Sequence, residues 1–482
     1  MKVGVVGGGV IGAGWAARFL LNGWDVSVFD PNPNMETTVL RTLTNARRCL
    51  PSLYDKTLPV EGKLYISNSV SEAVENAVWI QESVPERLDL KKTVFSHIQN
   101  FALRTAIIAS STSGFKPSQL QEGAQFPEQI LVCHPFNPVY LLPLVEIVKS
   151  DISSSSVVTR AIDILEQIGM KPLLLRKEID GHIADRLIEA LWREALWLIH
   201  DDVATTEEVD DAMKFAMGIR YALMGIFEHY RLAGGEDGMR HALEQFGPCL
   251  HWPWTKLVDV PDLTYSFIEK IAQQSDIQSK GLTIQDLERS RDDTIVGIIR
   301  AMKKTSRGAG ATVKNHEEKL KLKTLSSSGL IQTVERQVPS AWIDCNGHMN
   351  EAHYLETFSQ ATDAFMELIG VDADYLVKKD GSYFTVETHI RHLDEVTEGE
   401  IIAVETQVLA GEGKRMHLFH FLKGTDDRLV ATGEHMLIHV SLKTRASSLP
   451  GLEVLEKLSY YLNLQVSCKY PEGAGKVIYN SL

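Results

Sequence analysis

Lys2-Val3-Gly4-Val5-Val6-Gly7-Gly8-Gly9-Val10-Ile11-Gly12, followed by an Ala-rich segment from Ala13 to Leu21, decides how the first part of this chain is read. The short β-branched run predicts a buried strand, the glycines a tight turn, and the Ala-rich segment a helix. Gly7 permits the turn. Gly9 lets the backbone approach a pyrophosphate, and Gly12 lets the helix pack against the strand. Gly8, Val10 and Ile11 complete the loop, and the helix N-terminus supplies N–H donors to phosphate. The next apolar run, Val26 to Phe29, ends in Asp30. A carboxylate about 20 residues past the glycines can accept from a ribose 2′-OH. It would repel a 2′-phosphate, and no arginine follows it in Asp30-Pro31-Asn32-Pro33-Asn34, so NAD is expected over NADP. A strand-helix turn with no ligand is the alternative; the flanking strand, the helix and the downstream acid favour the dinucleotide.

At 482 residues the chain exceeds one ordinary core, and two to four domains are expected. Hydrophobic residues at 44% and charged residues at 23% describe an ordinary soluble globular composition. A net charge of −14 argues against nucleic acid or an anionic membrane surface as partner. Cys49, Cys133, Cys249, Cys345 and Cys468 are scattered and form no C-x-x-C. Neither a disulfide framework nor a metal site is expected, and a reducing cytoplasm fits best. Lys2 before an apolar stretch resembles a signal peptide superficially, but the glycines and Asp30 suit strand-turn-helix better. No run of about 18 uncharged apolar residues predicts a membrane span.

Beyond Asp30, a helix is expected from Met35 to Leu50, and strands at Leu64-Ile66, Ala77-Gln81, Ala106-Ser110, Ile130-Cys133 and Leu144-Val148. Their alternation with helical patterns implies a mostly parallel sheet closing near residue 180. From Gly181 to about 315, Ile183, Leu187, Ala190, Leu191, Trp197 and Leu198 recur at helical spacing, with more helix around Thr206-Met217 and Gly238-Phe246. Residues 316–330 read as a linker, charged at Glu317-Lys323 and small at Ser326-Gly329. From 331 to 482, one long helix (Tyr354-Ile369) precedes strands at Tyr383-Leu393, Ile401-Leu409, Met416-Lys423 and Leu429-Ser441, an α+β pattern. The domains are thus expected at 1–180, 181–315 and 331–482.

Two prolines brace a histidine and an asparagine in Cys133-His134-Pro135-Phe136-Asn137-Pro138, and Glu146 follows in an apolar strand. A strand carboxylate can fix an imidazole tautomer, which makes His134 a candidate general base. On these residues alone, a histidine bonded within its loop is the commoner case.

Residues 1 to about 315 resemble the 3-hydroxyacyl-CoA dehydrogenase family. The motifs are Gly7-x-Gly9-x-x-Gly12, Glu86 to Lys91, Ser110-x-Thr112-Ser113, His134-Pro135-Phe136-Asn137-Pro138 with Glu146, and Gly181-x-x-x-Asp185-Arg186-Leu187. The resemblance implies a Rossmann-type NAD domain followed by an all-α domain. It implies that His134 takes a hydroxyl proton while hydride passes to NAD, that Glu146 orients His134, and that Ser113 contacts substrate. Asn137 would brace substrate or loop, and Glu86 and Lys91 would lie near the cofactor. Two departures stand out: Ser111 and Asp185 where the family usually has asparagine. An extra carboxylate would repel an anionic acyl-CoA head and favour a cation. Gly218 to Gly225, Ala233-Gly234-Gly235-Glu236 and Trp252-Pro253-Trp254 are similar to the branch that oxidises free hydroxy acids, which includes carnitine dehydrogenases and the lens λ-crystallin type. L-Carnitine carries a trimethylammonium, a group held by aromatic faces and carboxylates. Trp192, Trp197, Tyr221, Phe227 and Tyr230 are the aromatic candidates; helix core is the commoner fate of such residues.

Trp342-Ile343-Asp344-Cys345-Asn346-Gly347-His348-Met349-Asn350 resembles the D-x-x-G-H-x-N signature of hotdog-fold acyl-CoA thioesterases of the 4-hydroxybenzoyl-CoA type. There Asp344 would be base or nucleophile, with helix N-terminal amides polarising the thioester carbonyl. Asp344 as a mere turn cap is the alternative. The two resemblances together imply oxidation of L-carnitine to 3-dehydrocarnitine and hydrolysis of a betaine thioester of CoA, by a homodimer or higher homo-oligomer. Another 3-hydroxy acid or sugar acid dehydrogenase with a general thioesterase, or a non-catalytic crystallin-like or acyl-CoA-binding protein, are the competing readings.

Overall fold

The computed structural model describes residues 1–476 apart from 223, 234–240, 245–254, 257–261, 263, 279–281 and 321–328. Leu223, Gly234-Gly235-Glu236, Trp252-Pro253-Trp254, most of the helix expected at Gly238-Phe246 and most of the expected linker fall outside the described residues. The chain divides into two compact units, Met1–Leu53 with Pro59–His316, and Tyr54–Leu58 with Glu317–Leu482.

The first unit is built on an eight-stranded sheet of β1 (Lys2–Val6), β2 (Asp25–Phe29), β3 (Leu64–Ile66), β4 (Trp79–Glu82), β5 (Ile107–Ser110), β6 (Ile130–Pro135), β7 (Leu144–Val148) and β8 (Lys171–Leu174). Their order is β3-β2-β1-β4-β5-β6-β7-β8. Every neighbouring pair is parallel except β6–β7. Val3, Val5, Ile80, Ile107, Ile108 and Val132 are fully buried. Burial of such a side chain contributes about 1.5–3 kcal/mol, which explains near-continuous apolar strands in a sheet covered on both faces. Helix α1 (Val10–Leu20) packs Trp15 and Phe19 against Trp79 of β4, with ring centroids 6.4 and 5.9 Å apart. Strand β8, unforeseen in the sequence, contains Pro172; as an edge strand it tolerates the missing N–H.

Several helices follow the sheet. The helix Ala184–His200 opens the segment expected to be all-α. Thr206–Ala212 continues into a π-helical turn at Met213–Gly218. The helix Gly308–Lys319 runs into the stretch expected as linker; its Glu317-Glu318-Lys319 charges belong to a helix end.

In the second unit, β9 (Ile331–Gln337), β10 (Gly381–His392), β11 (Ile401–Ala410), β12 (Arg415–Lys423) and β13 (Leu429–Ser441) form an antiparallel sheet ordered β10-β13-β12-β11-β9. It packs against the helix Glu351–Leu368, which Asn350 caps by accepting the Ala352 N–H at 3.0 Å. Tyr354, Phe358, Ala361 and Phe365 are the buried stripe of that helix. Gly433 is obligatory beneath it, since a Cβ there would come within 2.7 Å of the Phe358 ring. The expectation of one long helix is corrected by a second, Leu452–Leu464, whose Val454 and Leu458 reach the core at i, i+4 spacing.

Candidate active sites

The glycine loop has the shape its sequence implies. Gly7 sits at φ +99°, donates its N–H to Phe29 O at 2.8 Å, and has no room for a Cβ, which would lie 2.5 Å from Ser83 O. At Gly12 a Cβ would lie 1.8 Å from Gly7 O, so helix and turn are in direct backbone contact. Gly9, extended at the head of α1, meets nothing within 4 Å of its Cβ position. That open cradle before a helix N-terminus fits a pyrophosphate. Asp30 takes the Gly8 N–H at 2.7 Å on Oδ2 and the Asn32 N–H at 2.8 Å on Oδ1. The carboxylate is therefore fixed at the end of β2 and bonded to the loop that carries the glycines.

At the end of β4 stands a residue that sequence reading missed. Glu82 is fully buried, accepts from Lys91 Nζ at 2.9 Å and from Ser110 Oγ at 2.6 Å, and caps Val84 N–H at 2.8 Å. Lys91, 1% exposed, also lies 3.2 Å from Glu86. The Thr112 hydroxyl donates to Glu86, as does Gly114 N–H at 3.3 Å. Burial opposes ionisation of Glu86, but Thr112, Lys91 and Gly114 outweigh it and hold the carboxyl below its ordinary range. A polar residue closing a buried strand at the carboxyl edge of the sheet was the available signal for Glu82. Ser113 follows Thr112 on the same loop and is exposed, as is Asn137.

β6 and β7 place His134 opposite Glu146 in antiparallel register. Glu146 Oε2 lies 3.0 Å from His134 Nδ1. Its other oxygen accepts Ile183 N–H and Ala184 N–H, both at 3.0 Å, at the head of the helix Ala184–His200. Burial again opposes the charge, but His134 and the two N–H groups depress the Glu146 carboxyl below its usual value. On the far side of the imidazole, Asp185 Oδ2 stands 3.9 Å from His134 Nε2. Burial, reinforced by the Glu146 charge and opposed by His134, raises the Asp185 proton affinity. His182, also missed, is fully buried, with its ring 5.6 Å from that of His134. Burial and His134 lower its proton affinity.

The aromatic candidates stand on helices that follow the sheet. Trp192 is 53% exposed and lines an apolar cavity of about 540 Å³ with Ile188, Leu191, Met213 and Met217. Phe227 is 78% exposed, and Tyr221 packs edge-on to His229 at 6.0 Å. Among the described residues no hydrogen bond or ring contact ties Trp192, Tyr221 or Phe227 to His134 or Asp185.

In the second unit Asp344 opens a tight turn. Its Oδ1 accepts Asn346 N–H at 2.8 Å, and its carbonyl accepts Gly347 N–H at 3.1 Å. Gly347 has φ +86°, which a side chain would strain. Oδ2 lies 3.8 Å from His348 Nδ1. Asp344 thus caps its turn with Oδ1, while Oδ2 faces His348 and accepts from Asn346 Nδ2 at 3.5 Å. Asn350 N–H bonds Trp342 O at 2.8 Å and closes the loop onto the helix. No group of histidine, cysteine and acidic side chains among the described residues has metal-site geometry.

Residues 2–179 match the 3-hydroxyacyl-CoA dehydrogenase NAD-binding domain, 181–264 its C-terminal domain, and 338–458 the thioesterase-like superfamily. A protein of Ruegeria pomeroyi named L-carnitine dehydrogenase/betainyl-CoA thioesterase is 56% identical over 98% of both chains. The chain belongs to this dehydrogenase–thioesterase family. An Agrobacterium fabrum protein of the same name is 49% identical over 99% of this chain and 98% of its own. A Mesorhizobium japonicum protein named L-carnitine dehydrogenase is 52% identical over 66% of this chain and 89% of its own. Among solved structures, an NAD-dependent 5-formyl-3-hydroxy-2-methylpyridine 4-carboxylic acid 5-dehydrogenase superposes with a TM-score of 0.53. It is 23% identical and covers 63% of this chain and 98% of its own, a likeness of fold.

Proposed function

We propose that this chain oxidises L-carnitine to 3-dehydrocarnitine with NAD in its first unit and hydrolyses betainyl-CoA to betaine and CoA in its second. The observation that carries the reading is identity above 45% over essentially the full length of relatives bearing both activities in their name. Bound NAD supplies the hydride acceptor. Gly7 to Gly12 hold its pyrophosphate, Asp30 its adenosine ribose, and Glu86 with Lys91 border it. His134 takes the hydroxyl proton on Nε2, Glu146 holds the ring through Nδ1, and Ser113 and Asn137 bind and brace the substrate. Asp185 faces the substrate's trimethylammonium, and Trp192, Tyr221 and Phe227 are the aromatic surfaces assigned to it.

In the thioesterase, Asp344 is the reacting carboxylate. Ala352 N–H is spent on the Asn350 cap, which leaves the Glu351 amide as the first helix donor for the thioester oxygen. The protein works in the cytoplasm as a homo-oligomer. The half-exposed apolar side chains Leu187, Ile188 and Leu191 on one helix support self-association. No described helix is long and apolar enough to cross a membrane.

The test is NADH formation with L-carnitine and thiol release from betainyl-CoA by the full chain. Both are expected. Preference for an uncharged 3-hydroxy acid, or for acyl-CoA esters without a quaternary ammonium, would overturn the substrate assignment.

A further inference from the structure

We infer that Asp185 carries the alcohol proton from His134 out to solvent. The inference rests on the dehydrogenase reading above and adds the route that the proton takes after hydride transfer.

Among the described residues, three titratable side chains surround His134: Glu146, His182 and Asp185. Glu146 is 0% exposed and both its oxygens are engaged, one by His134 Nδ1 and one by two backbone N–H groups. It fixes the ring and cannot release a proton to water. His182 is also 0% exposed, with Nε2 placed 3.4 Å from Thr112 O. Asp185 differs on both counts: its side chain is 27% exposed, and it stands on the Nε2 side, where the substrate proton arrives. At 3.9 Å the pair is outside direct hydrogen-bond range, so transfer needs one side-chain turn or one bridging water.

The surroundings push the two carboxylates in opposite directions, down for Glu146 and up for Asp185. Such a split separates the group that stays charged from the group that carries a proton. Among the described residues, the charged or titratable groups facing Asp185 are His134, Glu146, His182 and Glu189; the two carboxylates favour its protonation.

The step balances. The C–H bond breaks with its electron pair passing to the nicotinamide, and the O–H bond breaks with its proton passing to His134 Nε2. That N–H bond then breaks as an O–H bond forms on Asp185 Oδ2, and water takes the proton. No oxidant beyond NAD is required.

Stopped-flow mixing of the full chain with NAD and L-carnitine, in weak buffer with a pH-indicator dye, follows NADH and released protons separately. In the wild type the two should rise together. In D185N, with L-carnitine raised to saturate a site that has lost its counter-ion, NADH should form in the first turnover more slowly than in the wild type, while proton release lags behind that NADH by about 10–100-fold, less than loss of the base itself would cost. Added formate or acetate should restore release in proportion to its concentration, and D185E should restore it without additive. Proton release in step with NADH in D185N overturns the inference. A higher KM for L-carnitine with release still in step also overturns it, and leaves Asp185 as counter-ion only. If D185N forms no NADH, absence of rescue in both D185S with formate and D185E overturns it. Wild-type protein that binds NAD yet makes no NADH from L-carnitine is a failure of the dehydrogenase reading instead.

Discussion

Glu146 joins two parts of the first unit through a single carboxylate: one oxygen orients His134 at 3.0 Å and the other anchors the helix beginning at Ala184. The base and the start of the helical segment are therefore placed by the same side chain. An anion at a helix N-terminus is also favoured by the unsatisfied amides there.

Removing the base itself is the simplest check. His134→Ala should keep NAD affinity and lose hydride transfer by about 10²–10⁴-fold. NAD binding by fluorescence and turnover by NADH absorbance separate the two effects. Near-normal turnover in the folded variant would remove His134 from the reaction.

Glu146→Gln keeps the shape and removes the charge, so both its hydrogen-bonding duties weaken. A stability loss of about 1.5–3 kcal/mol at neutral pH is expected for charge-assisted bonds. Because the folded carboxyl titrates below its ordinary value of 4.5, its contribution is complete above that pH and is lost as pH falls through the depressed folded value. The Tm gap between wild type and variant should therefore narrow on acidification below about pH 4.5. A constant gap would contradict the linkage.

Cofactor choice follows from the fixed position of Asp30, which two backbone N–H groups hold at the loop. A 2′-phosphate placed there meets a carboxylate. The ratio of kcat/KM values should favour NAD clearly, and Asp30→Ala should lower the ratio. Equal use of NADP by the wild type would refute the placement.

For the second activity, Asp344→Ala should abolish thiol release from betainyl-CoA while leaving NADH formation from L-carnitine intact. Asp344→Asn retains the turn hydrogen bond from Asn346 and should be equally inactive. Activity in the Asn variant would reduce Asp344 to a turn cap.

What the sequence disclosed depends on the range of the physics involved. The glycine loop was readable because positive φ and backbone contact leave few residue choices, and the helix Glu351–Leu368 because its stripe repeats locally. His134 and Glu146 were readable as a pair because their strands are adjacent. The tie from Glu146 to Ile183 and Ala184 was not, since it spans 37 residues and requires the folded sheet edge. His182 hid in a motif position that the family pattern leaves open. β8 hid behind Pro172, and the helix Leu452–Leu464 behind the expectation of one long helix in that part of the chain. His420 and His435 sit at inward positions of β12 and β13 and look like interruptions until Thr362 comes across from the helix.

That last group makes its own prediction. Thr362 Oγ1 lies 3.0 Å from His420 Nε2 and 3.3 Å from His435 Nδ1, and Thr406 Oγ1 lies 2.9 Å from His420 Nδ1. Both histidines are buried, with rings 5.0 Å apart beside Phe358. Burial pushes His435 down from 6.5 to about 4, and burial together with His435 pushes His420 well below its ordinary value. A histidine held neutral in the fold contributes stability that is complete above its unfolded value, near pH 6.5, and lost as pH falls through the folded value. For His435 alone the loss between pH 6.5 and 4 is about 3 kcal/mol. Thermal melting of the full chain, with thioesterase activity marking the second unit, should show that unit weakening steeply across this window. His435→Gln keeps an amide near Thr362 without a titrating ring, and should melt lower at pH 7 but with a flatter pH dependence. Parallel curves for wild type and variant would show that proton uptake at His435 does not govern the acid sensitivity of this core.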